Sequence, residues 1–265
     1  MATPPSPQPV PQSGPQPGPP PGPQGSVPPP PFTSALLGPP PFTTPHGPAW
    51  LRSPVALGRA TATLLGLVIA TDLFALWADR TMSDVTGSLA AGGFGDRLQE
   101  RAADADSLYL VAGVAQTIAL VATVVVFLVW FLRVRVNAEV FNPFGHAKSR
   151  AWAGWGWFVP FANLWLPRRI MSDIWTASSP KGPRDSQALV NLWWTFWLLG
   201  LIVGRVGFSE YRKAVTAQEI HDAVGTVMLS DGLDVVAAGL AILVVLKLTG
   251  MQDRKARGGP VPAGL

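Results

Sequence analysis

Four stretches of the chain are predominantly apolar for all or most of the roughly 20 residues a helix needs to cross hydrocarbon. They are Val55–Ala78, Leu108–Leu132, Leu189–Gly204 and Leu233–Leu248. None alternates apolar with polar residues, and each is longer than a typical strand, so each predicts a helix surrounded by lipid or protein. A fifth stretch, Ala151–Pro167, reads A-W-A-G-W-G-W-F-V-P-F-A-N-L-W-L-P. Pro160 and Pro167 remove backbone donors, and tryptophan prefers the membrane interface to its centre. This stretch is expected to bend as an interfacial or re-entrant element, with its backbone covered by protein wherever it lies deep. The expected fold is an all-α integral membrane protein with four transmembrane helices plus this Trp/Pro-rich element.

The segments between the runs carry their own signals. Residues 1–54 hold most of the 28 prolines, no Asp, Glu or Lys, and a single charge at Arg52. Such a composition predicts a disordered, proline-rich tail of polyproline II character. It lacks the basic start, apolar core and small-residue cleavage site of a secretory signal. Pro29–Thr33 and Pro39–Thr43 repeat the sequence P-P-P-F-T, a candidate docking motif for a cytoplasmic protein. The domain layout expected is therefore a tail at 1–54, a helical membrane domain at 55–250 and a basic tail at 251–265. Gly95–Ser107 is charged but rich in helix formers, so the second helix should begin before the membrane. Thr216 and Glu219 have the spacing of a capping box, starting a helix to about Met228 that Ser230-Asp231-Gly232 ends.

Composition narrows the class. Of 265 residues, 48% are hydrophobic and only 14% charged, too few charges to coat a soluble domain of this size. The absence of cysteine excludes disulfides, thiol catalysis and Cys-ligated metals. Charge placement sets topology. With the N-terminal tail in the cytoplasm, the arginine- and lysine-rich segment 133–188 and the basic C-terminus (Arg254, Lys255, Arg257) are also inside. The acid-rich segments 79–107 and 205–232 are outside. A fifth span at 151–167 would push Arg168, Arg169, Lys181 and Arg184 outward, so four spans in the cell membrane with both termini cytoplasmic is the expected arrangement.

The run from Arg150 to Trp175, R-A-W-A-G-W-G-W-F-V-P-F-A-N-L-W-L-P-R-R-I-M-S-D-I-W, resembles the signature of the actinobacterial domain-of-unknown-function 4328 family. Arg133, Asn137 and Ala138 upstream and N-L-W-W-T-F-W-L-L-G at 191–200 fit the same pattern, while Glu139-Val140 replaces the Leu-Gly pair expected after Ala138. The resemblance extends over roughly 55–250. It implies a small multi-span membrane protein and carries no activity, cofactor or catalytic residue.

Candidate chemistry is sparse. His46, His146 and His221 are scattered without ligand spacing, and no hydrolase elbow, zincin or phosphate-loop motif is present. No cofactor is expected. Asp72 is the one acid well inside a predicted span; an ionised carboxylate there is costly without a partner. Arg205 and Asp234, in the same leaflet, are its candidate partners. Gln116, one turn from Gly113, suits an interhelical hydrogen bond at a close helix contact. Asn163 could satisfy backbone groups freed by the prolines. At the inner boundary Arg133, Arg135, Arg150, Arg168 and Arg169 alternate with Trp152, Trp155, Trp157, Trp165 and Trp175, a pattern suited to the anionic headgroups of a lipid bilayer and not to nucleic acid. The function expected is a non-enzymatic anchor, assembly factor or sensor. The alternative is a small transporter or channel component using a polar site near Asp72 and Arg205.

Overall fold

The computed structural model describes residues 42–258. The expected disorder and most of the proline repeat fall on residues 1–41, outside the described residues, as do the last residues, 259–265. Six helices account for most of the rest: α1 (Val55–Ala90), α2 (Asp96–Phe141), α3 (Arg150–Trp155), α4 (Leu166–Ser178), α5 (Ala188–Lys213) and α6 (Ala217–Arg257). A short antiparallel hairpin, β1 (Phe42–Thr44) and β2 (Gly47–Ala49), precedes them. Helices α1, α2, α5 and α6 are each long and apolar enough to cross a membrane. The chain is a nearly all-α, four-span membrane protein.

The four long helices pack as two helical hairpins. α1 turns into α2 through Gly92 and Gly95, both at positive φ, and α5 turns into α6 through three residues. The central interface is α1 against α6, with α2 on the outer side of α1 and α5 on the outer side of α6. Small residues let the backbones approach. A Cβ at Gly204 would meet Ser230, and one at Gly207 would meet the backbone of Val227, so α5 and α6 lie close. Large apolar side chains such as Leu110, Ile118, Val125 and Leu132 on α2 stay exposed, as a lipid-facing surface requires.

Helix lengths exceed the expected spans. At 1.5 Å per residue, α2 is about 69 Å long and α1 about 54 Å, well beyond a hydrocarbon core of about 30 Å. The outer segments 79–107 and 205–232, where helix was expected only over 95–107 and 216–228, are helix almost throughout. They build a second core from Met82, Val85, Ala105 and Val224, capped by stacked Tyr109 and Tyr211 rings 5.2 Å apart. The α2 start and the capping box match expectation: Thr216 Oγ1 accepts from Glu219 N (3.2 Å), and Glu219 Oε2 accepts from Thr216 N (3.0 Å). The predicted break at Ser230-Asp231-Gly232 does not occur, because α6 runs through it to Arg257. A helical glycine costs about 1 kcal/mol, a penalty that packing on two neighbours outweighs. The basic tail likewise begins as helix, since α6 includes residues 251–257.

The Trp/Pro-rich stretch does not form a span. α3 ends at Trp155, tight turns follow, and Phe161 adopts φ 63°, a left-handed conformation costly for a bulky residue. α4 then starts with Pro167 in its first turn, where the missing N–H is harmless. Trp157 packs edge-on against Phe127 and Trp197 (centroids 5.3 and 5.9 Å), pinning the turn to α2 and α5. The largest core of the molecule lies here, built from Trp130, Phe131, Ile170, Met171, Trp175 and Leu248.

Candidate functional site

Two polar groups are buried in the bundle, one at each end. At the end that carries the hairpin, Glu139 on α2 sits fully buried between two arginines. Arg135 Nη1 donates to Glu139 Oε1 (2.6 Å) from one turn earlier, and Arg150 Nε donates to Oε2 (2.7 Å) from the start of α3. Each guanidinium has further acceptors. Arg135 Nη2 donates to the Lys148 carbonyl (2.7 Å), and Arg150 donates to the carbonyls of Pro48 (2.8 Å) and Gly47 (3.1 Å) in the hairpin. Thr44 Oγ1 lies 3.2 Å from Glu139 Oε2. Beside this group, Asn137 accepts from Arg52 N (3.0 Å) and donates to Arg52 O (2.8 Å) and Gln252 Oε1 (3.0 Å). Gln252 in turn donates to Val134 O and to Ser178 Oγ on α4. Residues 42–52 are thus clamped onto α2 and α3, and Asn137 links this segment to Gln252 on α6. Of the tail expected to be disordered to residue 54, residues 42–52 are instead held by these bonds.

This network redistributes the arginines expected to face lipid headgroups. Arg135 is 1% exposed and Arg150 is held by Glu139 and the hairpin, so neither is free for a headgroup. Glu139, on the turn after Arg135, is what draws them in. Arg133 reaches Ser53 O at 3.4 Å near the surface, Arg168 donates to Asn191, and Arg169 is exposed. Of the tryptophans, Trp152, Trp155 and Trp165 are exposed; Trp157 is half-buried among aromatic rings. Trp175 is wholly buried, with the Lys247 ammonium 5.1 Å from its ring centre. Trp175 is therefore core and not interface: its place on α4 faces the bundle. Two titratable groups flank the network outside the spans. Burial, with the nearby Arg135 charge, pushes His146 down to about 4, and burial raises Asp173 although Ala147 N donates to it.

At the opposite end the α1–α6 interface holds four carboxyl groups. Asp72 and Asp79 come from α1, two turns apart on one face; Asp231 and Asp234 come from α6, one turn apart. Asp72, Asp79 and Asp231 are buried and Asp234 is half-buried. Gln116 Nε2 donates to Asp72 Oδ1 (3.0 Å) and its amide also faces Asp231. Asp79 and Asp231 lie within hydrogen-bonding range of each other, and the Asp234 carboxyl fills the space left by the missing side chain of Gly200 on α5. Gln116 thus makes the expected interhelical bond, while Gly113 has open space beside it and no close helix contact.

The expected Asp72–Arg205 pair does not form. Arg205 is exposed, and Asp72 takes its hydrogen bond from α2 instead of α5. Asp234 does share the site with Asp72. Asp79, at the start of an acid-rich outer segment, and Asp231, in the expected helix break, join the site as well. Their spacing was the available signal: i and i+7 for Asp72 and Asp79, i and i+3 for Asp231 and Asp234, each places two acids on one helical face.

A family model described as Domain of unknown function (DUF4328) matches residues 96–250, more than half of the chain. The match takes in α2 to most of α6, including Gln116, Asp231 and Asp234; α1, with Asp72 and Asp79, precedes it. No curated protein and no solved structure matches.

Proposed function

The chain belongs to the domain-of-unknown-function 4328 family, and starting from that membership and the clamped N-terminal hairpin, we propose that it is a non-enzymatic membrane protein coupling a cytoplasmic partner of its proline-rich segment to the bundle. The observation that carries this reading is the hairpin on the Glu139 network. Arg150 binds two hairpin carbonyls and Asn137 binds both backbone groups of Arg52, so binding on residues 1–41 acts directly on α2 and α3 and, through Asn137 and Gln252, on α6. Four polar contacts to backbone are more than a flexible spacer needs.

In this reading the hairpin end faces the cytoplasm, both termini are cytoplasmic, and the protein resides in the cell membrane. Arg133, Arg168 and Arg169 with Trp152, Trp155 and Trp165 then meet the anionic inner leaflet. Reporter fusions after Gly145 and Lys181 are expected to read as cytoplasmic, and fusions after Gly93 and Val215 as external; the reverse pattern overturns the orientation. The partner is tested with a photo-crosslinking residue in place of Phe32, in cells. A discrete crosslinked protein, lost when both P-P-P-F-T copies are changed to alanine, is the expected result. Crosslinks to lipid alone would sink the coupling role.

A second reading, a small transporter component, draws on the carboxyl groups between α1 and α6 and no longer on Arg205. It requires a proton-dependent flux in proteoliposomes that Asp72→Asn abolishes.

A further inference from the structure

The α1–α6 interface carries charge of one sign at its far end with nothing opposite to balance it. Asp72 and Asp79 face it from α1 and Asp231 and Asp234 from α6. α2 contributes Gln116 and Tyr109, both uncharged, and α5 contributes Gly200 and Tyr211. None of the salt bridges among the described residues reaches these carboxyls, and Arg205 is exposed. The Oδ2 atoms of Asp72, Asp79 and Asp231 are each buried without a hydrogen-bond donor.

An ionised carboxylate only accepts hydrogen bonds. Two facing carboxylates whose Oδ2 atoms have no donor, 2% and 7% exposed, cannot both stay ionised where so little water reaches them. Adding one proton turns two acceptors into a donor and an acceptor, and the Asp79–Asp231 contact becomes a hydrogen bond. The depth of the site strengthens the requirement. Gln116 lies eight residues into the apolar run of α2, about 12 Å along the helix, so the lower half of the site is flanked by apolar helix and not by a polar loop. Among the described residues no group of acidic or histidine side chains is placed to hold a metal ion. We infer that Asp79 and Asp231, with Asp72 and Asp234 beneath them, form a proton-binding site, and that a proton bridges the Asp79–Asp231 pair in the folded protein.

The site sits where the membrane part of the bundle meets its helical extension, directly below the core of Met82, Val85 and Val224. Losing the proton places two like charges across the central interface. The proton therefore holds α1 and α6 together at this end, and alkaline conditions loosen the extension. This inference is independent of the tail and of any cytoplasmic partner.

Infrared spectroscopy of the full chain in lipid nanodiscs, with isotope-labelled aspartate, reads the protonated carboxyl directly. At about pH 7, where free aspartate is ionised, the wild-type protein is expected to show a protonated-carboxyl band that fades on alkaline titration. Asp79→Asn and Asp231→Asn should each remove it, and Asp84→Asn, on an exposed residue bridged to Arg80, should leave it. Asparagine mimics the protonated acid in shape and supplies a donor, so both variants should fold and should lose the alkaline drop in thermal stability that the wild type shows. Absence of the band in the wild type, or its persistence in both variants, overturns the proposal. A band that appears only when sodium is withdrawn assigns the site to a cation and overturns it as well. Should neither variant fold, the wild-type titration alone decides, because a band at neutral pH in the folded protein requires a protonated buried acid.

Discussion

Replacing Glu139 with glutamine removes the negative charge held between two guanidinium groups. Arg135 is 1% exposed and has no water to turn to, so breaking this buried pair should destabilise the protein by about 3–5 kcal/mol. Unfolding in mixed micelles measures it; a loss below about 1 kcal/mol, the range of surface pairs, would show that the network is hydrated. His146 gives a pH signature at the same end. Its folded value is depressed to about 4 from an ordinary 6.5, so the unfolded chain binds more protons between those values. The stability tied to neutral His146 is complete above about pH 6.5 and is lost as the pH falls toward 4. His146→Asn should flatten the stability curve in that window and leave it unchanged at higher pH.

At the scale of elements, the test is the continuity of α6. Gly232 lies within the helix with open space around its Cα, so Gly232→Ala should stabilise the protein by about 0.5–1 kcal/mol, which thermal unfolding in detergent would register. A helix break at that point would instead make alanine neutral or harmful. Gly207 is the opposite case. A side chain there would push against the Val227 backbone, and Gly207→Leu should cost about 1–3 kcal/mol by forcing α5 and α6 apart. The two glycines look alike in the sequence and differ only in what faces them.

At the scale of the whole molecule, the N-terminal segment divides in two. Deleting residues 2–41 should leave thermal stability nearly unchanged, while deleting residues 2–52 should lower it by several degrees. The larger deletion removes the carbonyls that satisfy Arg150 and both backbone partners of Asn137. Equal melting temperatures for the two deletions would mean that the hairpin adds nothing to the bundle. A composition rich in proline hides this boundary, because three residues of strand on either side of a turn leave no hydrophobic pattern.

Four apolar runs, their order and the failure of Ala151–Pro167 to span were all legible in the sequence. Hydrocarbon imposes a length and an apolar composition on any helix that crosses it, and both are local properties of the chain. The capping box at Thr216 was legible for the same reason, since its two bonds join residues three apart. What tertiary structure alone decided was the fate of the charges. Whether Arg150 meets a headgroup or Glu139, whether Asp72 meets Arg205 or Gln116, and whether Asp231 ends a helix or faces Asp79 depend on which helices lie side by side and how they are rotated. Those choices were set by the close approach of α1 and α5 to α6 at small residues, and a burial energy shared among several helices leaves no periodic mark on any one of them.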